Sequence, residues 1–301
     1  YSPPKSVELD QFKVSLSDEV LVQEFVEGTM INLFFYNDQW HISTRGNIGG
    51  HCKFYQNEEI PTFYEMFENV SSFVKLDYNK LLKNYCYCFI MQNTKNRIVK
   101  SILKDNLYFI TAYNIENKEN DIFVKEIDSE ELNFMKQVMF KDTDIKYPEE
   151  YGIISKDNFQ SEMTDYIDLY ASKNTKYNIM GVVFKDKNTR NFLKFRNPNH
   201  KEIHDLKGNH CKIQYIYLDL RKQNSVDRYL RYYPEDRSTF SFLRKIVHAY
   251  TRKLYENYVD CYIQKKKPLK EWPYEFRIHM FNIHQKYLND LKQNKKYVNM
   301  H

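Results

Sequence analysis

Two short stretches decide the fold of this chain, Phe25-Val-Glu-Gly-Thr-Met30 and Trp40-His-Ile-Ser-Thr-Arg-Gly46. Residues 29–36 and 39–44 are rich in β-branched and aromatic side chains, and Asn37-Asp38 stands between them. Two such runs joined by a two-residue turn predict a β-hairpin. The first stretch therefore leads into a hairpin, and the second lies where the chain leaves it.

Hydrophobic periodicity predicts further elements along the whole chain. Strands are expected at 85–91, 107–113, 179–184 and 191–196, and helices at 62–69, 129–140, 201–233, 239–263 and 273–291. In the helical stretch 201–233, the spacing predicts a buried face formed by Leu218, Leu220, Val226, Tyr229 and Leu230. The sequence therefore predicts an α+β fold, with an antiparallel-sheet domain at 1–198 and an all-helical domain at 199–301.

Composition sets broad limits on the partners. The 301 residues carry 45 basic and 40 acidic side chains, a net charge of +5 that permits a polyanionic partner without requiring one. No stretch approaches the roughly 20 apolar residues that span a bilayer, so we expect no membrane partner.

The five cysteines are scattered and show no zinc-site spacing, which favours free buried thiols in a reducing compartment. With no signal peptide in the first residues, we expect a cytoplasmic protein.

Five blocks follow one another through the strand-rich part of the chain. They are Phe25-Val-Glu-Gly28, Ser43-Thr-Arg-Gly46, Phe89-Ile-Met91 leading into Asn96-Arg-Ile-Val99, Met180-Gly-Val-Val183, and Leu193-Lys-Phe-Arg196. In order and spacing they resemble the motifs of the covalent nucleotidyltransferase superfamily, specifically those of phage-type RNA ligases. The resemblance covers about residues 20–198 and implies an RNA/DNA ligase-like nucleotidyltransferase domain. Related proteins occur in large DNA viruses, which would place this chain in the host cytoplasm or a viral factory.

In that family each block has a chemical task. The first contains a lysine that attacks the α-phosphate of ATP and carries AMP as a phosphoramidate. The second supplies a basic residue near the nucleotide, and the third and fourth supply glutamates that hold the ribose and a divalent metal. The fifth supplies two cations that neutralise the phosphates.

The chain retains four of these positions. Glu27 matches the acidic residue after the nucleophile, and Arg45 matches the basic residue of the second block. Lys194 and Arg196 match the final cationic pair, and they alternate along one predicted strand, so they share a face. The resemblance therefore implies that these four residues form a site for RNA or nucleotide phosphates.

Three other positions depart from the family pattern. Phe25 stands in place of the nucleophilic lysine, and Ile90 and Met180 stand in place of the two glutamates. A phenyl ring cannot form a phosphoramidate, and apolar side chains are not ligands for a hard cation. We therefore expect a pseudoenzyme that binds RNA, with no catalytic residue, no metal site and no cofactor.

Two alternatives stay open at the level of sequence. An active RNA ligase or capping-type enzyme would need ATP, Mg and a non-standard nucleophile, for which Lys5, Lys13 and Lys53 are candidates nearby in sequence. A scaffold or assembly subunit of a viral complex would instead bind a protein partner through its helical domain. The long helix expected at 239–263 carries many large aromatic side chains suited to such an interface.

Overall fold

The computed structural model of the protein describes residues 1–54, 60–118 and 121–300. The chain divides into two compact units, Tyr1–Ile216 and Tyr217–His301. The first contains two antiparallel sheets with flanking helices, and the second is helical within its described residues. The predicted fold class, α+β with antiparallel sheets followed by a helical region, is confirmed.

The elements are numbered in chain order. The strands are β1 (Glu19–Glu24), β2 (Thr29–Tyr36), β3 (Gln39–Ser43), β4 (Tyr85–Gln92), β5 (Asn106–Lys118), β6 (Asp121–Glu126), β7 (Glu150–Ser155), β8 (Gly181–Asp186) and β9 (Phe192–Arg196). The helices are α1 (Leu9–Val14), α2 (Phe63–Phe73), α3 (Ser129–Phe134), α4 (Phe159–Tyr170), α5 (Pro198–Lys207), α6 (Ile213–Lys222), α7 (Val226–Tyr232), α8 (Arg237–Tyr258) and α9 (Tyr274–Lys286). Helices α3, α8 and α9 each continue into a π-helical turn.

The two sheets of the first unit have separate hydrophobic cores. The sheet ordered β7-β1-β8-β9 packs its apolar face against α1 and α4, with Val22, Phe159 and Phe184 among the buried side chains. The sheet ordered β3-β2-β4-β5-β6 packs against α2 and the α3 region around Phe89 and Phe109. Burial of these apolar faces is the main force that fixes each sheet.

The segment Phe25–Gly28 joins the two sheets, because β1 belongs to one sheet and β2 to the other. The predicted hairpin follows directly as β2 and β3. Its turn residues Asn37 and Asp38 have φ of 47° and 59°, the left-handed geometry that a tight two-residue hairpin requires. The first stretch quoted from the sequence is thus the crossover between the sheets.

The second unit is built on aromatic side chains. Phe240 of α8 stacks on Tyr229 of α7, with ring centres 5.1 Å apart. Near the other end of α8, Tyr258 is buried together with Trp272 and Phe276. Among the described residues of the chain, no helix is both long and apolar enough to cross a membrane.

Several elements differ from the sequence prediction. The helical stretch predicted at 201–233 is broken into α5, α6 and α7, because Gly208 at the end of α5 has φ +69° and Asn224 before α7 has φ 54°. The predicted core residues Leu220 and Tyr229 are buried, but Leu218 is 45% exposed, so its prediction was wrong. The sequence analysis also missed β1, β6, β7, α1 and α4.

The cysteines are free thiols, and the two compact units divide after α5. Cys86, Cys88 and Cys261 are buried free thiols as predicted, whereas Cys211 is an exposed free thiol, which the prediction had wrong. The compact units divide between Ile216 and Tyr217, so α5 lies in the first unit. The domain boundary expected at residue 198 stays a prediction.

Candidate functional site

Backbone pairing brings Phe25 to the end of β9. Phe25 directly follows β1, and its N–H donates to the carbonyl oxygen of Gly181 at 3.3 Å. Gly181 opens β8 and lies opposite Arg196, while Val183 lies opposite Lys194. Lys194 and Arg196 are two residues apart on one strand, so both side chains point to the face on which Phe25 lies.

The two cations of β9 lie over the Phe25 ring. The ammonium nitrogen of Lys194 is 5.8 Å from the ring centre, and the guanidinium carbon of Arg196 is 5.7 Å from it. These distances are within the range of attraction between a cation and the negative face of an aromatic ring. A half-buried aromatic ring therefore lies beneath two positively charged side chains.

Arg45 follows the hairpin of the other sheet, and its charge acts on Lys194. It lies in the exposed loop after β3, on the wall of an open cavity of about 380 Å³. Burial, then the positive charges of Arg196 and Arg45, lower the pKa of Lys194 below that of an ordinary lysine. The positive charges of both arginines therefore act on the same amine.

These three cations have no acidic counterpart. Within residues 1–54, 60–118 and 121–300, none of Arg45, Lys194 and Arg196 forms an ion pair with a carboxylate. Uncompensated positive charges held close together raise the local potential and attract an anion. The arrangement is therefore suited to binding phosphate oxygens.

Glu27, the fourth predicted site residue, lies elsewhere and is buried. Its carboxylate accepts the backbone N–H groups of Val99 and Lys100, each at 3.0 Å. His200 of α5 places its Nε2 atom 2.5 Å from the other carboxylate oxygen. Glu27 thus joins the crossover segment to the loop after β4 and to α5, and it does not project into the cationic cluster.

Two glycines permit the close contacts around the crossover. A Cβ atom at Gly28, which has φ +155°, would lie 2.6 Å from both the Ile90 side chain and the Met91 carbonyl oxygen. At Gly181, with φ +148°, it would lie 2.0 Å from the carbonyl oxygen of Phe195. Real Cβ atoms do not approach backbone oxygens this closely, so each glycine is required where it stands.

The donor atoms expected of a divalent metal site do not come together here. Ile90 is half-buried on β4 against Gly28, and Met180 is half-buried just before β8. No three His, Cys, Asp or Glu side chains of the described residues are placed to hold a metal ion. Since hard divalent cations bind oxygen ligands, these residues do not fit the metal of the family pattern.

A second set of cations acts on Lys146. Burial, then the charges of Lys104 and Lys100, lower the pKa of Lys146, while the carboxylate of Glu24 opposes that shift. The Lys146 ammonium nitrogen lies 5.7 Å from the centre of the Tyr108 ring. The sequence analysis missed this group, because its members are scattered along the chain and none belongs to a recognised block.

A small cavity lies between the loop after β4 and α5. Its volume is about 160 Å³, and its lining includes Thr29, Asn96, Arg97, His204 and Lys207. Lys207 donates from its ammonium group to the carbonyl oxygen of Arg97 at 2.7 Å, and Asn96 donates to the Thr29 hydroxyl at 3.1 Å. Sequence reasoning had named Asn96–Val99 as a block but not its partners on α5.

Comparisons with known proteins point to one kind of structure. No protein-family model and no curated protein sequence matches the chain. It is similar to the structure of a Naegleria gruberi RNA ligase with PPi, at 11% identity and TM-score 0.48, over 68% of this chain and 58% of that one. Two structures of an archaeal ATP-dependent RNA ligase, form 1 and form 2, are also similar. Form 1 has 15% identity and TM-score 0.45 over 68% of this chain and 51% of that one.

Form 2 of the archaeal ligase has 17% identity and TM-score 0.43, over 71% of this chain and 51% of that one. The chain thus spans between 51% and 58% of the length of these ligases. At these identities and scores, no residue of this chain takes a role from them.

Proposed function

We propose that the protein binds the phosphates of RNA through Arg45, Lys194 and Arg196 and transfers no nucleotide. The observation that carries the proposal is that the unpaired cations Lys194 and Arg196 both lie over the Phe25 ring, with the charge of Arg45 acting on Lys194. Two of them are guanidinium groups, which present several N–H donors in a planar fork that matches phosphate oxygens. Contacts of this kind bind the backbone of RNA with little preference for sequence.

Partial burial makes the cluster more effective toward an anion. The pKa of Lys194 is lowered because its charge is partly removed from water and lies near two like charges. An incoming phosphate would offset both costs, since it places negative charge beside all three cations. The site is therefore organised in advance for a phosphate.

We propose a positioning role for Glu27 in place of a direct phosphate contact. Its carboxylate oxygens accept hydrogen bonds from Val99, Lys100 and His200. An ionised carboxylate has no hydrogen to donate and repels a phosphate. By holding the crossover segment against α5, Glu27 fixes the backbone that leads from Phe25 into β2.

One observation favours a second candidate function, nucleotidyl transfer from Lys194 itself. An amine with a lowered pKa is more readily neutral and nucleophilic, and Lys194 lies beside the residue in the nucleophile position. The neutral amine would attack the α-phosphorus of a nucleoside triphosphate. A P–N bond would form as the bond to the pyrophosphate oxygen breaks, pyrophosphate would leave with the electron pair, and the amine proton would pass to water.

The first experiment measures RNA binding. Fluorescence anisotropy with a labelled single-stranded uridine 20-mer at low salt should show binding by the wild-type protein. Lys194→Ala with Arg196→Ala should weaken it strongly. Undetectable binding, or binding that the double variant leaves unchanged, would overturn the proposal.

The second experiment separates the two candidates. The protein is incubated with labelled ATP or GTP and Mg or Mn, and then separated on a denaturing gel beside an active ligase as positive control. The binding proposal predicts no labelled band. A band that disappears in Lys194→Ala would establish the second candidate instead.

The viral origin and cytoplasmic location expected from the sequence stay predictions.

A further inference from the structure

The exposed face of α8 carries three cations, Arg244, Lys245 and Arg252, with His248 among them. Arg244, Lys245, His248 and Arg252 are all exposed, and together with two small residues, Ser241 and Ala249, they line a shallow groove of about 510 Å³. These positions recur at intervals of three and four, so they lie on one side of the helix. We call this surface, defined by the six residues, the α8 face; from first to last residue it is about 17 Å long at the usual helical rise.

The charges of the α8 face are not neutralised by the protein. Among the described residues, none of Arg244, Lys245, His248 and Arg252 makes an ion pair, a side-chain hydrogen bond or a ring contact. Helix α8 contains five Lys or Arg residues but one acidic residue, Glu256. Such a row of like charges costs free energy through mutual repulsion, and a polyanion removes that cost.

The face is flanked by apolar side chains on the adjacent side of the helix. Phe242 is 62% exposed and Ile246 is 48% exposed. An exposed aromatic ring beside a cationic groove is the combination that binds single-stranded nucleic acid, because the cations follow the phosphates and the ring stacks on a base.

The rest of α8 argues against a membrane surface as the partner. A helix that lies on a membrane needs a broad free apolar face. In α8, Phe240 and Tyr258 are buried inside the second unit and Tyr250 stacks on Phe276, so Phe242 and Ile246 form only a narrow free apolar strip. We propose that the α8 face is a second, separate binding surface for the phosphate backbone of single-stranded nucleic acid, independent of the cluster around Phe25.

The test uses the full chain and the salt dependence of binding. Each phosphate neutralised on a single strand adds about 0.7 to the slope of log affinity against log salt. Replacing Arg244→Gln, Lys245→Gln and Arg252→Gln should therefore weaken binding of a labelled uridine 20-mer and lower the slope by about 2. The charge-preserving variant Arg244→Lys with Arg252→Lys should keep the slope.

A matched control removes the same charge from the same unit. Lys270→Gln with Lys286→Gln and Lys292→Gln changes exposed lysines outside α8 and should leave the slope unchanged. An equal loss in the control, or no loss in the α8 variant, would overturn the proposal. So would an α8 variant that loses binding to anionic phospholipid vesicles and keeps its full affinity for RNA.

The two RNA proposals fail separately in this design. If Lys194→Ala with Arg196→Ala leaves RNA binding intact but the α8 variant weakens it, the proposed function fails and RNA binding by the α8 face is supported. If the α8 variant binds as the wild type does while the Lys194/Arg196 variant does not, the α8 proposal fails and the proposed function stands.

Discussion

The ammonium nitrogen of Lys194 lies 5.8 Å from the centre of the Phe25 ring. A neutral aromatic ring thus lies next to a positively charged side chain of β9. A lysine at position 25 would bring another positive charge to Arg45, Lys194 and Arg196, whereas the ring attracts the two cations of β9. The Phe25 ring therefore helps to hold Lys194 and Arg196 close together.

Removing the Phe25 ring should weaken the contacts that hold Lys194 and Arg196 above it. Phe25→Leu keeps an apolar side chain but removes the aromatic face that attracts Lys194 and Arg196, so we expect a cost of about 1 kcal/mol in the free energy of unfolding. Phe25→Tyr keeps the ring and should cost less. Urea denaturation of both variants measures the difference, and equal stability of the two would show that the ring face contributes nothing.

The contact between Glu27 and His200 should contribute strongly to the folding stability of the first unit. Glu27→Ala leaves His200 and the N–H groups of Val99 and Lys100 without their acceptor, which should cost about 3 kcal/mol or more. His200→Ala should also destabilise, and the double variant should lose about 1–3 kcal/mol less than the sum of the two.

The control for this pair is on the same helix. His204→Ala removes a partly exposed histidine of α5 and should change the stability by less than about 0.5 kcal/mol. Additive losses for Glu27→Ala and His200→Ala would contradict a direct interaction between them.

Gly181 should tolerate no side chain. Gly181→Ala places a methyl group 2.0 Å from the Phe195 carbonyl oxygen at a positive φ, so β8 and β9 must separate near Arg196. We expect a loss of at least about 2 kcal/mol. In Gly46→Ala the new methyl group meets nothing within 4 Å, which makes this variant the matched control. A thermal midpoint for Gly181→Ala equal to that of the control would refute the close strand packing.

The pH dependence of stability should report the lowered pKa of Lys194. Between that lowered pKa and the value of about 10.4 in the unfolded chain, the unfolded state binds more protons, so the contribution of Lys194 to stability rises with pH. Below this window Lys194 is charged in both states and its burial is unfavourable.

Lys194→Met removes that cost, so it should be more stable than the wild type at neutral pH. Its advantage should shrink as the pH rises toward about 10.4, the pKa of an ordinary lysine. Urea titrations between neutral and alkaline pH measure the difference, with Lys13→Met of the exposed α1 surface in parallel. An advantage that stays constant or grows with pH would contradict the burial of a charged Lys194.

The local features of the fold were predictable from the sequence, because the residues that determine them are neighbours in the chain. Asn37-Asp38 adopts left-handed geometry between two β-prone runs, and the hairpin follows. The sequence of β1 contains the same kind of pattern, because Val20 and Val22 alternate with other residues and point to one face. The sequence analysis nevertheless did not predict this strand. Strand β6 gave little signal, because Ile122–Val124 form an exposed edge without apolar alternation.

Contacts between residues far apart in the chain could not be predicted from the sequence in this way. Glu27 and His200 are 173 positions apart, and nothing in the spacing of either residue indicates the other. The proximity of Lys194 and Arg196 follows from their spacing on one strand, whereas the burial of Glu27 against His200 was not expected. Lys146 pairs with Tyr108, and the charges of Lys104 and Lys100 act on it, an arrangement that depends on tertiary structure alone.

The salt dependence of RNA binding tests the central claim most directly. In Lys194→Gln with Arg196→Gln, the slope of log affinity against log salt for a single-stranded uridine 20-mer should fall by about 1.4, the share of two phosphate contacts. The control Lys13→Gln with Lys173→Gln removes the same charge from exposed positions of the first unit and should keep the wild-type slope. Equal slopes for the wild type and the Lys194/Arg196 variant would contradict phosphate binding at the cluster around Phe25.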